Sequence, residues 1–321
     1  MYRPRICSIE LFRKCCLRCR MCYMWKAKEE TDVIDKDLLY ELADQLQEVL
    51  VGTKEVVFSG GEPLLYEDIV NIIEAYSQKG FKVGMASNGV LINQDMAGQL
   101  VEAGLKNIQL SFDSCHKKTH DFLRGVDGAY EKILKAAEYL SDYKDRISVC
   151  AQTVISGANM DEIVDTIKFV RDDKRFDAIS FMAVTTPFFA PIGDDWQSSE
   201  EFSFLWPKEK INRVIDEIIE MKKDGYPIAN PVSQFELFRA YFNNPHERKE
   251  GIVCRLGDYV LSINPKGEAR LCCFMQPIGN IKKQSLINML DSEMVDGYRK
   301  TMRDCNKVCN TIVNCFFQDP I

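Results

Sequence analysis

The run Lys14–Cys15–Cys16–Leu17–Arg18–Cys19–Arg20–Met21–Cys22–Tyr23 decides how this chain is read. It follows Arg5–Glu10, a short apolar stretch that reads as a first strand. Cys15, Cys19 and Cys22 are spaced C-x3-C-x2-C, so one short loop can wrap three thiolates around a single cube of iron and sulfur. A [4Fe–4S] cluster usually takes four cysteines. Three in one loop leave one iron open, and an open iron is where substrate chemistry can happen. Spacing alone leaves two alternatives standing: a zinc site, and a structural cluster completed by a distant cysteine. Zinc usually joins C-x2-C to a second such pair or to histidines. His116, His120 and His246 all lie far along the chain from this loop.

Outward from the loop, short strands are expected at Glu55–Phe58, Lys82–Ala86, Asn107–Ser111, Ser148–Val154 and Ala178–Phe181. Most are rich in Val, Ile or Phe, as buried parallel strands are. Between them, apolar residues recur at spacings of three and four. Leu38, Leu39, Leu42, Leu46 and Leu50 form one such stripe, and Ile69, Ile72, Ile73 and Tyr76 another. Ile133, Leu134, Ala137 and Leu140 form a third, after Gly128. This βαβα alternation gives an α/β fold with a parallel sheet. Six strand–helix units are two short of the eightfold barrel, which predicts a partial (β/α)6 TIM-type barrel that opens sideways.

The alternation breaks at Thr185–Phe204, where Pro187, Pro191 and a polar run read as a loop or lid. A helix is expected over Lys208–Lys223, ended by Gly225 and Pro227. After Cys254, Tyr259–Asn264 and Glu268–Cys272 read as strands of a hairpin turned by Pro265–Lys266–Gly267. The expected division is a barrel over 1–230 and a small α+β domain over 231–321.

The 321 residues are 46% hydrophobic and 28% charged, an ordinary globular balance. A net charge of −7 argues against binding nucleic acid through a broad basic surface. No apolar run reaches the roughly 18 residues that span a bilayer, and the start carries no signal-peptide pattern. The expectation is a soluble, cytoplasmic protein without a membrane partner. In a reducing compartment its thirteen cysteines read as metal ligands rather than disulfides. Most fall in two groups, Cys15–Cys22 and Cys254–Cys315, which points to two metal sites.

Further motifs follow the strands in order. Ser59–Gly60–Gly61–Glu62–Pro63 follows the second strand, Ser87–Asn88–Gly89 the third, and Ser111–Phe112–Asp113 the fourth, with His120–Asp121 and Arg124–Gly125 beyond it. Singly these are turn signals. Together, each at the carboxyl end of a strand, they resemble the radical S-adenosylmethionine superfamily. The resemblance implies an open iron that chelates the methionine portion of S-adenosylmethionine, and reductive cleavage to a 5′-deoxyadenosyl radical. It implies that Gly60, Gly61 and Glu62 hold the amino group. Ser87 and Asn88 then meet ribose or methionine atoms, and Ser111 and Arg124 the carboxylate. An arginine fork suits a carboxylate. Gln152 is a candidate ribose contact and Tyr23 a candidate adenine neighbour.

The second group, Cys254, Cys272, Cys273, Cys305, Cys309 and Cys315, resembles the auxiliary-cluster (SPASM or twitch) domains of that superfamily. Two further clusters need about eight thiolates, and one needs four. The count therefore favours one auxiliary [4Fe–4S] cluster on Cys254 and Cys272, completed by two of Cys305, Cys309 and Cys315, with Cys309 and Cys315 preferred. A zinc knuckle at the same residues is the alternative. Cys7, Cys16, Cys115, Cys150 and Cys273 have no ligand role in this scheme. Cys115 lies just past the fourth strand, where a thiol can donate a hydrogen atom to a substrate radical.

The expected function is hydrogen abstraction from a ribosomal peptide or a small natural-product metabolite, with a flavodoxin or ferredoxin as reductant. The absence of a peptide-recognition domain before the barrel weighs slightly against the peptide. The alternatives from other classes are a non-catalytic iron–sulfur electron-transfer or scaffold protein and a zinc-stabilised binding module. Residues 183–204 and 230–245 are the candidate lining of the substrate space.

Overall fold

Strand parity decides which side chains reach the interior of the sheet. In the computed structural model, which describes residues 3–26, 32–187, 190–193, 195–207 and 209–315, β4 is Asn107–Ser111. Its Ile108 and Leu110 are buried on one face, while Asn107, Gln109 and Ser111 are half-buried on the other. Five parallel strands share this arrangement with β4: β1 (Ile6–Glu10), β2 (Glu55–Ser59), β3 (Lys82–Ser87), β5 (Ser148–Ile155) and β6 (Ala178–Ala183). Apolar side chains face a helical layer, and small or polar ones face the open interior.

The helical layer comprises α1 (Lys36–Val49), α2 (Ile69–Gln78), α3 (Gln94–Glu102), α4 (Lys117–Arg124), α5 (Ala129–Ser141) and α6 (Ile163–Asp173). Each buries the stripe its spacing dictates. In α1, Leu38, Leu39, Leu42 and Leu46 are covered, and Asp35 caps the helix by accepting from the Asp37 and Leu38 amides. Phe58 of β2 packs edge-on against Tyr76 of α2, ring centroids 5.3 Å apart, and the Tyr76 hydroxyl donates to the Leu39 carbonyl. Sheet and two helices are thus pinned at one point.

Each strand is one to two residues longer or shorter than its apolar run predicts, except β4, which matches. The helix expected from Lys208 is α7 (Ile211–Lys223); Lys208 itself lies outside the described residues. It packs on α8 (Val232–Asn243). A short α9 (Leu256–Tyr259) then leads into β7 (Val260–Ile263) and β8 (Glu268–Arg270), the expected hairpin with shorter strands. The chain finishes with β9 (Gly279–Asn280), α10 (Leu286–Leu290), α11 (Glu293–Asp304) and α12 (Asn310–Asn314).

The hairpin joins the main sheet rather than forming its own. β7 pairs in parallel with β1, Ile6 opposite Val260, so the strand order is β6-β5-β4-β3-β2-β1-β7-β8-β9. The sheet stays open, as the six-unit count implies. The strand that leads into the Cys15 loop is therefore interior, paired on both sides.

Candidate active site

The cysteine loop is clamped from two directions by backbone. On one side the Gly61 amide donates to the Phe12 carbonyl at 2.7 Å, and the Glu62 amide to the Lys14 carbonyl at 3.0 Å. Gly60 has φ +135°, a conformation open essentially to glycine alone. A β-carbon on Gly60 would overlap the Phe12 carbonyl, and one on Gly61 the Lys14 carbonyl. On the other side the Arg18 amide donates to the Arg124 carbonyl (3.1 Å) and the Arg20 amide to that of Leu123 (2.9 Å). Gly125 ends α4 in a left-handed conformation directly under Arg18, where a β-carbon would meet the Arg18 carbonyl. The two glycine motifs thus bring the ends of β2 and α4 against the loop. Resemblance pointed to ligand contact; the structure shows in addition that loop backbone fills the space the missing side chains leave.

Glu62, Ser87 and Asn88 form one buried network behind the loop. Glu62 accepts from the Ser87 hydroxyl (2.8 Å), the Asn88 amide (2.8 Å) and the Leu64 amide (3.2 Å). Burial outweighs these three bonds and pushes its carboxyl up to about 7. The Asn88 side-chain amide reaches the loop, donating to Cys16 Sγ at 3.4 Å and Cys15 Sγ at 3.8 Å.

Arg124 projects from the last turn of α4 and is buried. It pairs with fully buried Asp113, Nη2 to Oδ2 2.7 Å, and its Nη1 donates to Cys19 Sγ at 3.9 Å. Its Nε is buried without a hydrogen-bond partner. Burial raises the Cys19 thiol and Arg124 opposes that shift.

A cavity of about 190 Å³ opens between these groups and the end of β6. Cys22, Ser111, Arg124 and Gln152 line it together with Met21, Val154, Met182, residues 183–186 and Asn310. Ser111 and Gln152 are register partners on β4 and β5, so strand parity puts both in the cavity. Of the other expected cofactor contacts, Gly60, Gly61, Glu62, Ser87 and Asn88 sit behind the loop as described. Tyr23 is not a lining residue: its hydroxyl donates to Glu201 (3.3 Å) and its ring packs edge-on against Phe202. Cys115 is not a lining residue; its amide donates to Thr166 on α6 and its carbonyl accepts from the Tyr130 hydroxyl. Part of the expected lid, residues 188, 189 and 194, lies outside the described residues. The segment beyond it is tied down, with the Gly157 amide donating to the Leu205 carbonyl at 2.6 Å and Trp206 packed on Tyr241.

Among the described residues, no three Cys, His, Asp or Glu side chains converge on a single ion position. A multi-iron cluster does not need such a point, because each iron takes its own thiolate at a separate corner. The hydrogen bond with Cys16 and then burial raise the Cys15 thiol, and burial raises that of Cys22; Cys19 adds an electrostatic rise to both, so it stands near each of the other two ligands. The unpartnered Arg124 Nε suits a carboxylate at the cavity's edge. These residues therefore fit a cluster with a bound amino-acid moiety.

In the C-terminal group, burial raises Cys254, Cys309 and Cys315, and each is raised further by its neighbours. Cys254 is influenced by Cys309 and Cys272, Cys309 by Cys272 and Cys305, and Cys315 by Cys309 and Cys254. Cys254, Cys272, Cys309 and Cys315 thus lie within one another's electrostatic reach; Cys305 acts on Cys309, and Cys273 is hydrogen-bonded to Cys272 and influenced by Cys309 as well. Sequence reading missed Asn310 as a lining residue, although it directly follows Cys309. It also proposed residues 230–245 as lining. Among the described residues none of these lines the cavity; Asn230 and Gln234 instead support its wall from behind.

Comparison with known proteins agrees with this geometry. The radical SAM superfamily model matches residues 9–170, and a model for an iron–sulfur cluster-binding domain, SPASM, matches residues 254–316. An AdoMet-dependent heme synthase of Methanosarcina barkeri is 26% identical over 284 residues, covering 87% of this chain and 76% of that protein. The subtilosin biosynthesis protein AlbA of Bacillus subtilis is 27% identical over 296 residues, covering 91% of this chain and 60% of AlbA. The crystal structure of Streptococcus suis SuiB bound to its precursor peptide SuiA superposes with a TM-score of 0.70 at 18% identity, covering 93% of this chain and 67% of SuiB, a likeness of fold. No helix among the described residues is long and apolar enough to cross a membrane. The chain belongs to the radical SAM superfamily, in the branch that carries an auxiliary iron–sulfur cluster-binding region.

Proposed function

We propose that this enzyme abstracts hydrogen from a peptide substrate held at the open carboxyl end of its barrel. The observation that carries the reading is a single cavity lined by Cys22 of the cluster loop, by Ser111, Arg124 and Gln152, and by Thr185, Thr186 and Asn310 opposite. The first four stand where a cofactor's polar groups are expected, and the last three remain for a substrate. Cys15, Cys19 and Cys22 would hold the [4Fe–4S] cluster, leaving one iron for S-adenosylmethionine. Bound there and reduced by one electron from a flavodoxin- or ferredoxin-type donor, this pair supplies a 5′-deoxyadenosyl radical as the hydrogen-abstracting species. Arg124, fixed by Asp113, orients a carboxylate; Gln152 and Ser111 offer neutral hydrogen bonds.

The peptide is favoured over a small amine-bearing metabolite because the cavity lining contains no Asp or Glu to receive an ammonium. The precursor peptide named in the SuiB–SuiA complex supports the same choice, and the bacteriocin named for AlbA accords with it. We further propose one auxiliary cluster on Cys254, Cys272, Cys309 and Cys315, and a functional division at 1–230 and 231–321.

The test is anaerobic reconstitution, reduction and incubation with S-adenosylmethionine. The expected result is 5′-deoxyadenosine and methionine, detected by mass spectrometry and abolished in Cys15→Ala. Fully iron-loaded protein that releases neither would instead be an electron carrier or scaffold.

A further inference from the structure

The far wall of the cavity joins β6 to α12, and side-chain amides make the joint. The Ala183 amide donates to Asn314 Oδ1 at 2.8 Å, and Asn314 Nδ2 donates to the Ala183 carbonyl at 3.0 Å. A backbone N–H only donates, so the Asn314 carboxamide has one orientation. Its remaining N–H is given to Asn310 at 2.6 Å. The atom of Asn310 that meets it must then be the oxygen. Thr185 Oγ1 donates to that same oxygen at 3.2 Å. Both lone pairs of Asn310 Oδ1 are thereby used. Its Nδ2 has no partner among the described residues, and Asn310 lines the cavity.

A second amide chain holds α12 in place from behind. The Phe181 amide donates to Asn230 Oδ1 (2.6 Å), Asn230 Nδ2 donates to Gln234 Oε1 (2.8 Å), and Gln234 Nε2 donates to the main-chain carbonyl of Asn314 (3.1 Å). The Phe181 amide thus sets the direction of Asn230 and Gln234, and the Ala183 amide that of Asn314 and Asn310. A polarity fixed by backbone cannot invert without leaving a buried donor unpaired.

We propose that Asn310 is a specificity-determining residue that presents an N–H donor to a neutral acceptor oxygen of the substrate, of the peptide-carbonyl type, with Asn314 as its positioning residue. This rests on the reading of the cavity as the reaction chamber. It adds to that reading the polarity of the substrate atom and the C-terminal residue that meets it. A carbonyl oxygen fits; an ammonium, which can only donate, does not.

The probes are N,N-dimethylacetamide, which can only accept, and propylammonium, which can only donate. Crystals of the S-adenosylmethionine-loaded holoenzyme are soaked in a concentration series of each. The expected result is N,N-dimethylacetamide with its oxygen on Asn310 Nδ2 and no propylammonium there. Asn310→Asp keeps an oxygen for Asn314 and Thr185 but turns the unpartnered Nδ2 position into an acceptor. In that variant, half-occupancy by N,N-dimethylacetamide needs about tenfold more probe, as loss of one hydrogen bond implies, and propylammonium now binds. If N,N-dimethylacetamide avoids Asn310 in the wild type, or binds both proteins equally, the proposal is overturned. If the variant fails to load iron, the wild-type soak decides alone. The soak reads binding, so an enzyme that forms no 5′-deoxyadenosine refutes the radical reaction without altering this result.

Discussion

Gly61 sits directly beneath the carbonyl of Lys14, with no room between them for a methyl group. The flanking amides of Gly61 and Glu62 donate to the Phe12 and Lys14 carbonyls. This contact sets how the cysteine loop leaves β1. Gly61→Ala is expected to push the loop off the end of β2 and to lower iron bound at the N-terminal cluster by more than half. Gly297→Ala, at an open position in α11, is the control and is expected to be neutral or slightly stabilising. Iron analysis with electron paramagnetic resonance on both variants checks this.

The buried pair of Asp113 and Arg124 has a different vulnerability. Removing one member leaves the other charge uncompensated, which typically costs about 3–5 kcal/mol. Asp113→Ala is expected to show a loss of that order in denaturant unfolding, and weaker S-adenosylmethionine binding. Breaking the exposed pair Lys135–Glu138 is expected to cost less than about 1 kcal/mol. Comparable losses from the two would contradict the assignment of Arg124 as a buried, oriented fork.

Glu62 gives stability a pH dependence. Its carboxyl is raised to about 7 by burial, so the folded protein holds the proton more tightly than the unfolded chain does. The resulting stabilisation is full below the unfolded value near 4.5 and is lost as pH rises through about 7. Between pH 6 and 8 the loss is about 1 kcal/mol. Glu62→Gln removes this group's share of the slope, whatever constant offset it adds. Unfolding curves of both proteins at pH 6, 7 and 8 decide; parallel pH profiles would show that Glu62 does not titrate there.

The auxiliary ligand set is separable by iron count. Cys254→Ser, Cys272→Ser, Cys309→Ser and Cys315→Ser are each expected to lose about four irons per chain from a total of about eight. Cys305→Ser and Cys273→Ser are expected to keep them. Retention in Cys315→Ser with loss in Cys305→Ser would move the fourth ligand to Cys305.

Much of this was legible because it depends on periodicity. The strand expected at Asn107–Ser111 has those bounds in the structure, and Ser111, singled out by resemblance, lines the cavity. The spacing of Cys15, Cys19 and Cys22 and the ordered motifs after β2, β3 and β4 led to the family. What stayed hidden depends on contacts between distant segments. Gly60 and Gly61 looked like room for a ligand, because sequence does not show the Phe12 and Lys14 carbonyls arriving there. Cys305, Cys309 and Cys315 could not be ranked firmly by spacing, since their separation in space is set by the turn between α11 and α12. Asn310 carried no signal at all. Its orientation comes from Asn314 and the edge of β6, and no local pattern encodes that.

The pairing of β1 with β7 has a consequence for synthesis. Ile6 finds its second neighbour only at Val260, so β1 leaves the ribosome long before its pairing is completed. Until then β1 offers a bare hydrogen-bonding edge beside an unfilled thiol loop, the kind of surface through which nascent chains aggregate. A pairing this distant in the chain also slows folding. Truncation before β7 should therefore yield aggregation-prone protein rather than a smaller working barrel, and overexpression should be limited by the time β1 waits for its partner.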